Sequence, residues 1–294
     1  MDSCFDSKHV RSEIEQWKSR ATRGWLLKSL SRFTPAATIA QMAKPNSIEL
    51  PDCKPIRILY EDRAVIAADK PPGWLLVPDT WQRTSRNLQA AITSSIVGGD
   101  FWARSRGLKF LRYVHRLDAE TSGILLFAKS PGAVEVFSEL FETRRVEKTY
   151  LAVTAVEPRE MEWTCRLALA PDPLRPGRMI VDEQTGKPSE THFRVVEKIP
   201  GLTLVECEPL TGRTHQIRVH LAASGCPIVS DEIYSRQTGQ LEFGLRSVRL
   251  AYTDPFTKKR VEIRAPVTYF LKDYGFSLQP TAAANVSSLH PKKI

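Results

Sequence analysis

At 294 residues, with 42% hydrophobic and 26% charged residues, the chain has the composition of a folded globular protein, which excludes a low-complexity or fibrous polymer. Lysine and arginine number 42 against 33 aspartates and glutamates, a formal net charge of +9 that points to a polyanionic partner. The five cysteines are widely spaced with no C-x-x-C pair, which argues against a disulfide framework or a zinc ribbon and for a reducing, cytoplasmic setting.

No apolar run approaches the roughly 20 residues of a membrane span, and the N-terminus carries Asp2, Asp6 and Lys8 without an apolar core. Neither insertion nor secretion is expected. Val10, Ile14, Trp17 and Ala21, continued by Leu26, Leu30 and Phe33, fall at helical spacing and predict a helix over 8–33, ended by Thr34-Pro35. Pro45, Pro51 and Pro55 mark 44–55 as a linker, so 1–55 reads as a helical extension with its linker.

From Ile56 the pattern changes to short strands. Ile56–Tyr60 and Val65–Ala68 flank the turn-like Glu61-Asp62-Arg63 and predict a hairpin. Leu88, Ile92 and Ile96 recur every four residues behind the candidate caps Thr84 and Ser85. Ser130-Pro131 opens a second helix with Val134, Phe137, Leu140 and Phe141 on one face. Further strands are expected at 148–153, 192–197, 203–208, 246–252 and 259–264. Loops rather than helices separate most of them. That order argues for an α+β fold with a mixed, largely antiparallel central sheet flanked by helices and loops, over 56–278. Residues 279–294, rich in Ala, Ser and Pro, read as a flexible tail, and no internal repeat is visible.

The chemistry concentrates in the run His115-Arg116-Leu117-Asp118-Ala119-Glu120-Thr121-Ser122-Gly123, a turn ahead of the apolar stretch 124–128. An aspartate is ionised at neutral pH and can act as a nucleophile without an activating base, which serine or threonine would need. Arg104, Arg106, Lys109, Arg112 and Arg116 lead into this turn and give it a positive field. Three other segments stand out: Asp69-Lys70-Pro71-Pro72-Gly73, Glu147-Lys148-Thr149-Tyr150, and Thr211-Gly212-Arg213-Thr214-His215-Gln216-Ile217-Arg218-Val219-His220, the last running as a short helix to Ser224-Gly225. Each has an ordinary reading on its own, as a structural loop, a half-buried aromatic and a solvated helix charge. His215 and His220, five apart, diverge on a strand or a helix, so a zinc pair is rejected. Asp118 and Glu120, adjacent in one turn, do not suit a two-carboxylate glycosidase.

Together these segments resemble the RluA-type pseudouridine synthase family over roughly 56–270. His115-Arg116-Leu117-Asp118 with Thr121-Ser122-Gly123 is similar to its catalytic motif. Thr211–His220 with Gly225-Cys226-Pro227-Ile228, Asp231 and Tyr234 is similar to its later signature. The resemblance implies the pseudouridine synthase fold, Asp118 as the catalytic aspartate, Tyr150 as the tyrosine that contacts the target base, and Arg218 as the partner of the aspartate. An arginine fork can fix a carboxylate, and a tyrosine offers an aromatic face and a hydroxyl. Arg112, His115, Arg116, Arg213, Ile217 and Leu250 are the expected substrate contacts, Arg116 filling the gap left by an extruded base or gripping phosphate. Lys258, Lys259 and Arg260 are weaker candidates for phosphate contact.

The implied reaction turns uridine in ribosomal or transfer RNA into pseudouridine, on a base flipped out of its stack, with no cofactor and no metal. A cytoplasmic monomer is expected. Leu245-Arg246-Ser247 departs from the Leu-His-Ala of many members, and Ser230 replaces a frequent glycine. No S4-type RNA-binding module is evident in 1–55. The competing reading is a non-catalytic RNA-binding or RNA-folding protein with the same basic cleft. Asp118, Tyr150 and Arg218 together favour catalysis, because a binder has no use for an anion where phosphates must be attracted.

Overall fold

Short alternating strands build one large sheet, and the loops at its edge carry the charged motifs. In this computed structural model the residues described are 43–51, 53–76, 86–235 and 241–277. Their elements in chain order are β1 (Ser47–Ile48), β2 (Ile56–Glu61), β3 (Val65–Lys70), α1 (Leu88–Gly98), α2 (Phe101–Arg104), β4 (Arg112–Tyr113), β5 (Ser122–Ala128) and α3 (Pro131–Glu142). β6 (Val146–Thr154), β7 (Glu162–Cys165), β8 (Leu169–Pro171), β9 (Met179–Val181), β10 (Thr191–Ile199) and β11 (Leu202–Pro209) follow. The chain continues with α4 (Gln216–Ala223), β12 (Leu245–Thr253), β13 (Arg260–Arg264) and α5 (Thr268–Tyr274).

Nine strands run in the order β1-β2-β3-β5-β12-β6-β11-β10-β7, with β13 added on β12 and β4 on β5, while β8 and β9 form a separate hairpin. Every pairing between these strands is antiparallel except β5 with β12. This is the mixed, largely antiparallel sheet of an α+β protein that the spacing of the strands indicates. The parallel contact requires a close approach. Gly123 has φ +107°, and a Cβ there would lie 2.1 Å from the Ser247 carbonyl oxygen, so only glycine lets β5 and β12 meet.

Local chemistry sets the helices. Asn87 caps α1 by accepting from the Ala90 N–H, whereas Thr84 and Ser85, the caps expected from sequence, lie outside the described residues. Ser130 caps α3 with Pro131 in its first turn. Ala133, Phe137 and Leu140 of α3 pack with Val65, Ile124, Leu126 and Tyr252, each large side chain contributing about 1.5–3 kcal/mol of burial. A second cluster joins Leu88, Ile92 and Trp102 to Leu125, Phe127, Tyr150 and Ile217.

The stretch 44–55, expected as a linker, contributes β1, which pairs with β2 and buries Ile48 and Leu50. Its three prolines hide a two-residue strand whose alternation, Ile48 then Leu50, is too short to register as a pattern. The β8–β9 hairpin was likewise not anticipated, because its turn is built from Pro-rich residues 172–178. The expected helix 8–33 and tail 279–294 lie outside the described residues.

Candidate active site

Asp118 stands in the loop between β4 and β5, and a buried lysine fixes that loop from below. Lys70, fully buried at the end of β3, donates from Nζ to the carbonyls of Ala119 (2.7 Å), Thr121 (2.9 Å) and Pro71 (3.1 Å). Gly73, in the turn after β3, donates its N–H to the Ala119 carbonyl at 2.9 Å. The motif Asp69-Lys70-Pro71-Pro72-Gly73 is thus the floor under the aspartate. Burial lowers the Lys70 ammonium to about 8, although Glu120 and Asp118 pull it up. Arg246 locks the same corner by reaching Asp69 Oδ2 (2.7 Å), Ser122 Oγ (3.2 Å) and the Pro266 carbonyl. The arginine that departs from the family pattern therefore has a partner of its own.

Helix α4 brings the opposing charge. Arg218 Nη1 lies 3.3 Å from Asp118 Oδ2, while its Nε and Nη2 donate to the two oxygens of Asp231, both at 2.8 Å. Asp231 is fully buried and is held in turn by the N–H groups of Ile233 and Tyr234. Burial opposes the charge on Arg218, but the bonds to Asp231 and the charges of Asp231 and Asp118 outweigh it and raise its pKa. The guanidinium is also flanked by the rings of Tyr234 and Phe243, 5.3 and 5.1 Å from their centroids.

His215 completes the ring around the acid. It precedes α4 with φ +53°, a left-handed conformation uncommon outside glycine. Its Nε2 is 3.9 Å from Asp118 Oδ2, and its Nδ1 is 2.9 Å from the Tyr234 hydroxyl. That hydroxyl also accepts the Met179 N–H at 2.8 Å, so Tyr234 ties the His215 ring to β9.

The other polar residues of the signature are structural. Thr211 donates to Gln216 Oε1, which also accepts the Arg213 N–H, and Gln216 Nε2 donates to Thr191 Oγ1 and the Glu190 carbonyl. His220 sits between Thr191 and Ser189, and Ser189 donates onward to the Leu167 carbonyl. Burial lowers His220 to about 4, so it is neutral here. Along α4, Gln216 and His220 bind the sheet edge while Arg218 turns to the acid.

Tyr150, on β6, is opposite Cys207 of β11 and Ser247 of β12 and is only 8% exposed. Burial pushes its hydroxyl well above the usual range; a side-chain hydrogen bond with Ser247 works against this and the charge of Asp118 adds to it. Asp118 itself keeps a quarter of its side chain open to solvent. Lys148, two residues before Tyr150, is lowered to about 8 by burial with help from Arg144, and it donates to the Thr211 carbonyl.

The expected substrate contacts divide. Arg116 is exposed at the rim of the Asp118 loop and Arg112 is half-buried on β4. Arg213 is half-buried, with Nε donating to the Pro188 carbonyl, and Ile217 is buried in the same cluster as Tyr150. His115 does not face outward: its Nε2 accepts the Leu126 N–H, its ring stacks on Phe141 at 4.4 Å, and burial lowers it to about 3. Leu250 pairs with Lys148 but packs among Val114, Ile124 and Val146 rather than with Tyr150 and Ile217. Arg106 is engaged elsewhere, on Glu61 and the carbonyls of Trp102 and Pro45. Lys70, His215, Asp231 and Tyr234 were not singled out as site residues; all four had appeared only within the quoted segments, His215 also as a rejected zinc ligand. Among the described residues no group of three or more His, Cys, Asp or Glu is placed to hold a metal ion, and no helix is long and apolar enough to cross a membrane.

Comparison with known proteins identifies the family. The ribosomal large subunit pseudouridine synthase C of Salmonella typhimurium is 35% identical over 226 residues, 73% of this chain and 67% of that protein. Its counterpart in Escherichia coli K12 matches equally. Human RNA pseudouridylate synthase domain containing 1 superposes with a TM-score of 0.60 at 25% identity, covering 81% of this chain and 97% of that one. Human RNA pseudouridylate synthase domain containing 4 gives 0.58 at 21% identity over 74% and 92% and shares the fold. Residues 64–223 match the RNA pseudouridylate synthase family, and the chain belongs to it as an RluA-type pseudouridine synthase.

Proposed function

We propose that this enzyme isomerises uridine in ribosomal RNA of the large subunit, with Asp118 as the nucleophile, Arg218 and His215 holding it, and Tyr150 facing the target base. One observation carries the reading. The Arg218 and His215 contacts both fall on Oδ2 of Asp118, and among the described residues Oδ1 accepts no hydrogen bond. One carboxylate oxygen is therefore anchored while the other remains available to form a bond.

The reaction needs no external atom. The N1–C1′ bond of uridine breaks, the uracil turns, C5 bonds to C1′, the C5 proton departs and N1 is protonated. An ionised carboxylate supplies the nucleophile directly. Tyr150 works as the neutral phenol, since burial disfavours its phenolate. It offers an aromatic face to the base and a hydroxyl that can accept one proton while passing on its own. The target must leave its stack, at a cost of a few kcal/mol that phosphate contacts from Arg112 and Arg116 offset.

The relatives named for the large ribosomal subunit support ribosomal RNA as the substrate, as does the net charge of +9. A reducing, cytoplasmic setting suits the free thiols at Cys53, Cys165, Cys207 and Cys226, and the proposed acting species is a monomer. The test is incubation with unmodified transcripts of large-subunit ribosomal RNA and, in parallel, transfer RNA, followed by mapping of pseudouridine. New pseudouridine in the ribosomal transcript supports the reading. Modification of transfer RNA alone overturns the substrate, and accelerated folding without any modification leaves the RNA-folding alternative.

A further inference from the structure

A second basic site lies at the far end of the β3–β5 pair from Asp118. An open depression of about 740 Å³ is bounded by the β2–β3 turn, the segment after α2, the residue that follows β5 and the approach to β1. Five of its lining residues are cationic, Lys44, Arg63, Arg106, Lys109 and Lys129, against two acids, Glu61 and Asp62.

Hydrogen bonding sorts these charges into a floor and a rim. Glu61 takes Arg106 Nε at 2.8 Å and Lys129 Nζ at 2.7 Å, and the pull of both cations keeps its carboxyl below the usual range against the effect of burial. Asp62 is used by the Ala64 and Val65 N–H groups and by the Tyr60 hydroxyl. Both acids are thus consumed in building the floor. Lys44, Arg63 and Lys109 are exposed and form no ion pair among the described residues. Three uncompensated cations surround a concave surface.

β5 spans seven residues, about 20 Å at roughly 3.3 Å per residue, with Asp118 before its start and Lys129 after its end. Arg112 and Arg116 lie on the chain between Lys109 and the Asp118 loop, so cations continue from the depression to the catalytic edge. We infer that this depression is a docking site for the phosphate backbone of the substrate RNA, about 20 Å from the nucleotide that reacts. The inference rests on the reading that the substrate is RNA. It also revises the basic stripe seen in the sequence: Arg106 is withdrawn into the floor, and Lys44 and Arg63 join from distant segments.

The test uses the full chain and fluorescence anisotropy with an unmodified large-subunit ribosomal RNA transcript, over a salt series, so that it reads binding whether or not turnover is detected. The double variant Arg63→Glu, Lys109→Glu is compared with Arg159→Glu, Lys272→Glu, which changes the net charge equally at exposed positions outside the depression. The expected result is a Kd at least about tenfold weaker for the first variant only, with a salt slope lower by about two. A short stem-loop that cannot span about 20 Å should bind both variants equally well. Equal losses from the two variants, an unchanged Kd and slope, or binding of inorganic phosphate with no change in RNA affinity would each overturn the inference. A failure to find pseudouridine in any RNA, with this binding difference intact, would instead count against the proposed reaction.

Discussion

Arg218 and Asp118, one hundred residues apart in the chain, meet with Nη1 3.3 Å from Oδ2, and the rest of the guanidinium is committed to Asp231. The fork is shared. Asp231 sets the plane of the arginine, and that plane decides which oxygen of Asp118 is engaged. Lysine at 218 could reach only one of the two carboxylates. Arg218→Lys is expected to lower kcat by about 10²-fold with RNA affinity nearly unchanged, as steady-state kinetics and binding would read. Asp231→Ala strands a buried charge and should cost about 3–5 kcal/mol in urea denaturation. A cost under about 1 kcal/mol would mean that Asp231 does not hold the arginine.

Tyr150→Phe keeps the aromatic face against the core and removes the hydroxyl shared with Ser247. RNA binding is expected to persist while turnover falls by about 10²-fold, the lower end of what a positioned proton donor or acceptor contributes. Equal single-turnover rates for the variant and the wild type would remove the hydroxyl from proton transfer.

His115 makes acid stability a test of its structural role. Burial lowers its pKa to about 3, below the 6.5 of an ordinary imidazole, so between those pH values the unfolded chain binds a proton that the folded protein refuses. The stability from the neutral ring is complete above pH 6.5 and lost as pH falls toward 3, at up to about 1.4 kcal/mol per pH unit. His220 titrates in the same direction, so the comparison must be with a variant. His115→Gln, which can still accept from the Leu126 N–H, should show a flatter fall in urea midpoint between pH 7 and pH 4.5. Identical slopes would contradict the assignment.

Gly123→Ala places a methyl group 2.1 Å from the Ser247 carbonyl oxygen at a backbone φ of +107°. Parting β5 from β12 is the remaining relief, and the loss should exceed about 4 kcal/mol. A change in thermal midpoint of only a few degrees would show that the contact can relax.

The residues proposed to touch the reaction were readable because they sit in short motifs whose chemistry is local. An aspartate among arginines, a tyrosine on an alternating strand and an arginine on a short helix each announce a charge or a ring in a defined place. What the motifs conceal is which residues face each other. Lys70 looks like a loop lysine until its Nζ is found on carbonyls about fifty positions away. Arg106 looks like part of a phosphate-binding stripe until Glu61 claims it. His115 stands three residues before the aspartate, yet its ring turns to β5 and α3. The positions of most long strands were legible from short apolar runs bounded by turns, whereas β1 was not, because a two-residue strand has no period.

The most direct measurement of the central claim is pseudouridine formation by Asp118→Asn on unmodified large-subunit ribosomal RNA, read beside its RNA affinity. Asparagine keeps the shape and a contact to Arg218 but has no nucleophilic oxygen. The account predicts wild-type binding within a few-fold and no detectable pseudouridine. Turnover by Asp118→Asn at a rate near that of the wild type would contradict it.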